Sequence, residues 1–279
     1  MIKAVITAAG KGTRLSPITK EIPKEMMPIF SRTSHNNLNL IPMSQFIFEQ
    51  LYSANIRDFC FVVGRGKRSV EDHFMPDSTY LTSLPNKSRI LVSNFYKKIE
   101  NSNIVWINQN KPLGFGDAIK KTMDYNSKND FVVHAGDVVI ISPKKYPILR
   151  LIKIAKNHPN ISAVLLCKKV KDSKRYGVPK LKKISQGLYS VEEVEEKPDK
   201  PKSSFGLLPI YYFKPDIFDG LKKIKPGKGN EFQLTDAIQK LIESGKKVLA
   251  VSLNTDEIEI DVGTAELYWD ALNSSYKKD

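Results

Sequence analysis

Hydrophobic and polar positions in the first half of the chain follow two alternating patterns. Short runs rich in β-branched and aromatic residues are typical of buried strands: "KAVITA" (3–8), "FCFVV" (59–63), "NIVWIN" (103–108) and "DFVVHAG" (130–136). Between these runs, "MSQFIFEQLYSA", "KRSVEDHF" and "GFGDAIKKTMDY" have apolar residues at helical spacing. This βαβα rhythm predicts an α/β fold with a doubly wound, mostly parallel sheet.

The pattern changes in the second half, after the strand-like run "ISAVLLCKKV". Strand-like segments broken by turns follow: "YGVPKLKKI", "GLYSVEEV" and "LLPIYYF". Helical spacing returns in "EFQLTDAIQKLIES" and "TAELYWDALNSS". The sequence has no internal repeat and no low-complexity linker. We therefore predict a small antiparallel insertion on the edge of the α/β core, within a single domain over residues 1–279.

Composition narrows the class of protein. The 279 residues are 41% hydrophobic and 27% charged, no apolar run approaches the roughly 18 residues of a membrane span, and the apolar start is too short for a signal peptide. We expect a cytoplasmic protein with no membrane partner. Cys60 and Cys167 lie inside apolar runs, and the four histidines lack metal-ligand spacing. Inert core thiols are therefore favoured over a disulfide or a zinc site.

The net charge of +14 fits a nucleic acid, an anionic membrane surface or a phosphorylated substrate. Lysines are spread along the whole chain, and no RRM, KH or zinc-finger signature is present. A solvated surface is therefore the favoured interpretation of the charge, and no nucleic-acid partner is expected.

The stretch "AAGKGTRLSPITKEIPKEMMP" (8–28) follows the first strand and combines glycines with cations. A strand, a glycine-rich loop and a helical segment form a common phosphate-binding layout, because small residues let backbone N–H groups approach an anion. The G-x-x-x-x-G-K-[ST] motif is absent, and G-x-G-x-x-G fails because Leu15 stands at its third glycine. A backbone cradle at 9–12 with Arg14 and Lys24 suits a polyphosphate. The alternative is a solvated basic loop.

This stretch resembles the signature of the sugar-1-phosphate nucleotidylyltransferases, and "PKEMMP" is most similar to their UTP–glucose-1-phosphate uridylyltransferase branch. The similarity continues in order along nearly the whole chain: "GRGKRSVEDHF", "QNKPLGFGDAI", "RYGV", "EEKP", "EFQLTDAI" and "DVGT". The resemblance implies a Rossmann-like fold and Mg²⁺-dependent transfer of UMP from UTP to glucose-1-phosphate. Alternatives are a thymidylyltransferase, a broad-specificity sugar-1-phosphate enzyme, and a non-catalytic regulatory or nucleic-acid-binding protein.

The resemblance also implies a role for individual residues. Nucleotide-binding positions are Ala8, Ala9, Gly10, Gly12, Thr13, Gln109 and Gly114. Catalytic cations are Arg14, Lys24 and Lys197. Sugar-phosphate contacts are Gly177, Glu196 and Lys197, and Mg²⁺ ligands are Asp137 and Asp261. Taken singly, each of these has an ordinary alternative: a polar strand end for Gln109, exposed turns for the aspartates, a helix cap for Asp261 and a solvated charged loop for "EEKP".

Three features depart from the family pattern. The segment 29–41 is longer than the usual linker, and it is either a surface excursion or an oligomer contact. Pro209 replaces a glycine, so a backbone N–H contact to sugar at that position is lost. Asp117 stands where the uridylyltransferases often have histidine. We expect a homo-oligomer that binds UTP and a sugar-1-phosphate, with the nucleotide half at about 1–140 and the sugar-phosphate half at about 141–279.

Overall fold

The computed structural model describes residues 1–32, 37–143 and 146–278, and its elements alternate as the first-half pattern predicts. Strands of the described chain are β1 (Lys3–Ala8), β2 (Pro28–Arg32), β3 (Leu38–Pro42), β4 (Asp58–Val63), β5 (Asn103–Asn108), β6 (Phe131–Ala135), β7 (Val138–Ile141), β8 (Ile161–Lys169), β9 (Gly177–Ser185), β10 (Leu188–Glu196), β11 (Phe205–Phe213), β12 (Lys247–Ser252) and β13 (Ile258–Asp261). Helices are α1 (Met43–Ser53), α2 (Arg68–His73), α3 (Ser78–Ser83), α4 (Asn86–Glu100), α5 (Phe115–Lys120), α6 (Met123–Asn126), α7 (Pro147–Asn157), α8 (Ile217–Lys223), α9 (Leu234–Glu243) and α10 (Ala265–Lys278).

In the described ranges, nine strands form one sheet in the order β5-β4-β1-β6-β11-β8-β12-β10-β9. Strand β1 is parallel to β4 on one side and to β6 on the other, so the chain winds outward in both directions from β1. Only β10 and β11 run against the other seven strands of this sheet within the described chain. The predicted doubly wound and mostly parallel α/β sheet is confirmed.

The predicted antiparallel insertion is the hairpin of β9 and β10 at one edge of the sheet, whereas the third predicted segment, "LLPIYYF", belongs to β11 between β6 and β8. Gly187 makes its turn with φ +72°, a conformation that glycine adopts without steric penalty. Pro209 lies within β11, where the pairing with β8 shifts in register between Leu208 and Tyr211. A proline has no N–H to donate, and such an irregularity is where a strand tolerates it.

Apolar side chains fill both faces of the sheet. One face is rich in phenylalanine, with Phe48 packed 4.6 Å from Phe59 between ring centroids, and the other includes Phe131 stacked on Phe218 at 5.4 Å. Cys60 and Cys167 are fully buried free thiols, and burial raises the pKa of each to about 12. Both therefore act as core residues, as the apolar runs predict.

Several helical regions differ from the prediction, and α3, α7 and α8 were not predicted. The stretch 114–125 forms two short helices rather than one, and the hydroxyl of Thr122 bonds back to the Ile119 carbonyl at 2.8 Å where they separate. Helix α4 was not predicted, because only Phe95 and Ile99 are buried among its fifteen residues. Such a sparse apolar stripe gives a weak periodic signal.

The segment 29–41 forms most of a separate hairpin of β2 and β3, and residues 33–36 lie outside the described ranges. This hairpin packs on α10: the Phe30 N–H donates to Ser275 Oγ at 3.2 Å, and the Phe30 ring meets Tyr276 edge-on. The segment is thus anchored to the last helix, and an oligomer contact there stays a prediction. In the described chain, no helix is both long and apolar enough to cross a membrane.

Candidate active site

A cleft of about 660 Å³ lies at the carboxyl edge of the sheet. Strands β1, β5 and β6 run in the same direction, so the residues that follow them meet at this edge. Ten of the residues predicted for the site line it: Ala9, Gly10, Gly12, Thr13, Arg14, Lys24, Gln109, Gly114, Asp137 and Asp261. Ala8 is at the end of β1 with its side chain buried in the core.

The loop after β1 is held in shape by its own contacts. Gly12 has φ +66°, and its carbonyl accepts a hydrogen bond from Thr19 Oγ1 at 2.8 Å. Leu15 is buried, so the residue that breaks the G-x-G-x-x-G pattern anchors the loop to the core. A Cβ on Gly10 would lie 3.4 Å from Lys24 Nζ, so the glycine allows the ammonium to lie close to the backbone.

Lys24 and Asp137 form an ion pair at the floor of the cleft. Burial alone would lower the pKa of Lys24, but the charges of Asp137, Glu25 and Asp261 outweigh burial and raise it. For Asp137, burial favours the neutral acid, yet the ammonium of Lys24 together with a backbone hydrogen bond and the charge of Lys67 outweighs burial and holds the pKa below its usual value. The pair is therefore charged at neutral pH.

A second, more buried ion pair supports this floor. Lys67 Nζ lies 2.6 Å from Glu25 Oε2, and the two side chains are 6% and 1% exposed. Burial raises the pKa of Glu25 by more than the attraction of Lys67 and Lys24 lowers it. Gly136 leaves room for this carboxylate, because a Cβ there would lie 3.0 Å from Glu25 Cγ and 2.7 Å from the Thr7 carbonyl oxygen.

The pairing of β7 with β13 in a small separate sheet brings Asp261 close to Asp137. These strands are antiparallel with Asp261 opposite Val138, the residue after Asp137. Burial and the charges of Asp137 and Glu259 raise the pKa of Asp261 to about 6, against the opposing effect of Arg14 and Lys24. The helix-cap alternative for Asp261 is not what is seen, because the Leu267 N–H at the start of α10 donates to Thr264 Oγ1 at 3.3 Å.

The two aspartates fit a magnesium ion. Burial and then the negative charges of Asp137 and Glu259 raise the pKa of Asp261, and a bound cation would offset both effects. No group of three or more His, Cys, Asp or Glu side chains in the described ranges is arranged to hold a metal. Mg²⁺ needs no such cage, because it commonly takes one or two carboxylates with substrate phosphates and water.

Gln109 continues from β5 and is almost fully buried at the wall of the cleft. Its Nε2 donates to the Gly114 carbonyl at 3.1 Å and to Asp117 Oδ2 at 2.7 Å. Gly114 has φ +105°, and a Cβ there would lie 2.8 Å from Glu231 Cβ and 2.9 Å from the Phe232 carbonyl oxygen. The packing of the protein itself therefore requires glycine at this position.

The predicted sugar-phosphate residues lie beside the cleft rather than among the residues that line it. Glu196 Oε2 accepts a hydrogen bond from Thr235 Oγ1 at 2.9 Å, and Lys197 Nζ lies 3.2 Å from Glu196 Oε1. The Lys197 N–H donates to the carbonyl of Tyr176, a lining residue, at 2.9 Å. The backbone of Gly177 follows Tyr176 directly, so the three predicted residues form one cluster at this end.

Several lining residues were missed by the sequence analysis. They are Thr7, Lys11, Glu25, Pro112, Phe115, Ala118, Ala135, Val138, Tyr176, Leu207, Glu231 and Glu259. Glu25 stands within the quoted "PKEMMP", and a test of every polar residue in that motif would have included it. Glu259 is paired with Lys168, and no local pattern in the sequence indicates that pairing.

Comparisons with known proteins agree with this geometry. Residues 3–278 match the family described as nucleotidyl transferase. UTP–glucose-1-phosphate uridylyltransferase 2 of Streptococcus pyogenes is 36% identical over 248 residues, covering 86% of this chain and 79% of that protein. The uridylyltransferase of Streptococcus pneumoniae is 35% identical over 246 residues, with the same coverage of 86% and 79%.

A solved structure gives the same assignment by fold. The crystal structure of UDP-glucose pyrophosphorylase complexed with UDP-glucose superposes with a TM-score of 0.87, at 29% identity and over 100% of both chains. The resemblance inferred from the motifs is thereby confirmed. The chain belongs to the nucleotidyl transferase family.

Proposed function

We propose that the protein transfers the UMP group of UTP to glucose-1-phosphate and releases pyrophosphate, so that UDP-glucose is formed. The observation that supports this best is the meeting of the cationic loop (Arg14, Lys24) with Asp137 and Asp261 in one cleft at the sheet edge. Backbone N–H groups and fixed cations suit a triphosphate, and the carboxylates beside them suit a metal. The relatives named for this reaction support the choice of substrates.

The reaction needs alignment more than acid–base chemistry. An oxygen of the sugar phosphate forms a bond to the α-phosphorus of UTP, and the bond from that phosphorus to the β-bridging oxygen breaks. Pyrophosphate leaves with the electron pair. A phosphate monoester is largely ionised near neutral pH, so no general base is needed. Rate enhancement then comes from positioning and charge stabilisation, and Arg14 and Lys24 offset the charge that develops on pyrophosphate.

Specific roles follow for the nucleotide side of the cleft. The backbone from Ala8 to Gly12, together with Thr13, would hold UTP, and Gln109 would meet an edge of the uracil ring. Gly114 lies beside Gln109, and its close packing against Glu231 and Phe232 requires glycine there. These residues belong to the first half of the chain, at about 1–140.

The sugar-phosphate side is proposed for the second half, at about 141–279. Glu196 and the Gly177 backbone would hold sugar hydroxyls, because a carboxylate accepts two hydrogen bonds from neighbouring hydroxyls. Lys197 would turn from Glu196, which lies 3.2 Å away, to the phosphate of glucose-1-phosphate. Its side chain is 46% exposed, so this turn requires little repacking.

Asp137 and Asp261 would hold Mg²⁺, which when bound polarises phosphoryl oxygens and offsets their charge. We expect Asp137→Asn to lower the Mg²⁺-dependent rate at least about 100-fold. Titration with Mn²⁺ followed by electron paramagnetic resonance measures metal binding independently of activity. A near-normal rate and near-normal metal binding in this variant would remove Asp137 from the site.

The experiment that tests the proposed function is pyrophosphate release by the purified protein with Mg²⁺ and glucose-1-phosphate. UTP is compared with dTTP, CTP, ATP and GTP, and a reaction without sugar phosphate is the control. Sugar-dependent release that is fastest with UTP supports the proposal, and a preference for dTTP indicates a thymidylyltransferase. No release with glucose-, galactose- or N-acetylglucosamine-1-phosphate rejects the enzymatic proposal. We also propose a homo-oligomer, which sedimentation velocity tests directly.

A further inference from the structure

The two polar atoms of the Gln109 side chain differ in their hydrogen bonding, because among the described residues Nε2 is bonded within the protein and Oε1 is not. Its Nε2 donates to two protein acceptors, the Gly114 carbonyl at 3.1 Å and Asp117 Oδ2 at 2.7 Å. Its backbone N–H donates to the Val63 carbonyl at 2.8 Å. In the part of the chain that the structure describes, no hydrogen bond reaches its Oε1, and Gln109 lines the cleft. Both amide hydrogens are therefore used inside the protein, and Oε1 remains for a ligand.

The orientation of this amide follows from chemistry. Swapping the nitrogen and oxygen of a glutamine normally leaves its shape unchanged, so neighbouring groups must decide between the two orientations. Here the neighbours are a backbone carbonyl and a carboxylate, and both only accept hydrogen bonds. An oxygen facing them would meet two acceptors with no hydrogen between. Nε2 must face Gly114 and Asp117, and Oε1 must face away from them.

Asp117 is well placed to hold this orientation. It lies in the first turn of α5, and that helix is fixed at its start by a hydrogen bond from the Gly116 N–H to the Phe232 carbonyl at 2.8 Å. A Cβ on Gly116 would lie 2.7 Å from the same carbonyl oxygen, so the helix and the neighbouring segment are in close contact. The carboxylate therefore approaches Gln109 from a rigid element.

We propose that Asp117 is a positioning residue. It fixes the Gln109 side chain so that the group facing the base is the hydrogen-bond acceptor Oε1. This inference rests on the proposed use of UTP. Uracil has a donor N3–H, which pairs with Oε1, whereas N3 of cytosine is an acceptor and is repelled. Thymine has the same N3–H as uracil, so Asp117 selects against CTP and leaves the choice between UTP and dTTP to other contacts. Leaving a buried polar atom unpaired is an effective way to reject an analogue.

Asp117→Asn is the direct test, because it keeps the shape and replaces one acceptor oxygen by a donor. The introduced amide replaces a charged acceptor by a neutral acceptor or a donor, so the hydrogen bond from Gln109 Nε2 is weakened or lost and only the Gly114 carbonyl still fixes the orientation of Gln109. We expect the ratio of kcat/KM for UTP to that for CTP to fall at least about tenfold. The KM for glucose-1-phosphate should be unchanged, since that substrate lies elsewhere in the cleft. Asp124→Asn, which changes an aspartate in α6, is the matched control.

A double-mutant cycle separates positioning from a purely structural role. If Asp117 acts through Gln109, then Asp117→Asn has no further effect on the UTP/CTP ratio in a Gln109→Ala background. The same four proteins are titrated with UTP and with CTP by calorimetry, and unfolding midpoints check that each is folded. Asp117→Ser, which also removes the carboxylate, replaces Asp117→Asn if that variant is unfolded.

The outcomes distinguish this inference from the proposed function. A wild type that binds UTP in preference to CTP but releases no pyrophosphate rejects the enzymatic proposal, while the binding ratios still test Asp117. Retention of the ratio within twofold in Asp117→Asn overturns the inference, and so does an equal loss in the Gln109→Ala background. A wild type that binds UTP no better than CTP overturns it as well.

Discussion

Removal of the Lys67 ammonium is expected to destabilise the protein in a pH-dependent way. Lys67 is paired with Glu25 at 2.6 Å, and the side chains are 6% and 1% exposed, so Lys67→Met leaves a carboxylate in a dry site. Removing one partner of a buried ion pair commonly costs about 3–5 kcal/mol. Glu25 has a less costly alternative, because it can take up a proton.

The free energy of that proton uptake limits the loss. The usual pKa of a glutamate is 4.5, and each pH unit above it adds about 1.4 kcal/mol to the free energy of holding the acid neutral. The loss of unfolding free energy in Lys67→Met is therefore limited to about 3 kcal/mol at pH 7 and to under about 1 kcal/mol at pH 5. Burial already raises the pKa of Glu25 in the wild type. The wild type therefore already bears part of this free energy, and the additional loss in the variant is smaller than the limit. We expect the variant to lose about 2 kcal/mol at pH 7.

The sign follows from linkage. A carboxyl whose pKa is raised by folding binds its proton more tightly in the folded chain, so folding becomes more favourable as the pH falls through that pKa. The difference between variant and wild type should therefore shrink from pH 7 to pH 5. The assay is urea unfolding at both pH values without added metal.

The matched control is Lys98→Met, because Lys98 pairs with Glu49 at 3.1 Å where both side chains are solvent-accessible, at 32% and 26%. That variant should lose at most about 1 kcal/mol at either pH. Adding Glu25→Gln to Lys67→Met should remove the change with pH in the stability difference that Lys67→Met shows. The reasoning is refuted if Lys67→Met loses the same free energy at pH 5 as at pH 7, or no more than the control.

Three further predictions concern the sugar side, the cleft wall and a half-buried histidine. Lys197→Ala should raise KM for glucose-1-phosphate at least about tenfold and leave KM for UTP nearly unchanged in steady-state assays, and equal effects on both would argue against a phosphate contact. Gly114→Ala should lower the free energy of unfolding by at least about 1 kcal/mol more than Gly66→Ala, because both have positive φ but only at Gly114 would a Cβ meet other atoms within 4 Å. Burial lowers the pKa of His73 from 6.5 to about 4, so the unfolded chain binds the proton first and stability should fall by up to about 3 kcal/mol from pH 6.5 to pH 4. His73→Phe should flatten urea-unfolding stability across that window, and an unchanged slope would contradict the assignment.

Hydrophobic periodicity was sufficient where elements are buried on most of their surface. Strands β4 and β6 have nearly every residue buried and β1 has four of its six, so their apolar runs could be recognised without knowledge of their neighbours. Helix α4 was missed because most of its surface faces solvent. Local pattern therefore gave the order of the buried strands, but it also missed α7 and α8, although both bury apolar residues in the core.

The loop after β1 shows how far local chemistry goes toward a site. Its glycines and cations indicate an anion-binding role from residue type alone, and Arg14 and Lys24 indeed line the cleft. The order of the motifs along the whole chain also gives the family, since that order can be seen without knowing any distance in the folded protein. The meeting of Asp137 with Asp261 was proposed only through the family resemblance, because no readable pattern connects two aspartates so far apart in the sequence.

The sequence by itself determined the α/β class, the cationic loop and the family, because these depend on residue type, periodicity and the order of motifs. Only the tertiary structure decided which charged groups are paired and which polar atoms remain for a ligand. Glu25 pairs with Lys67 across 42 residues of sequence, and the Asp117 carboxylate accepts a hydrogen bond from the Gln109 amide. Both depend on sheet order and on the packing of α5 against the segment at Phe232. Burial and hydrogen bonding set the charge and direction of such groups, and both are properties of the folded chain.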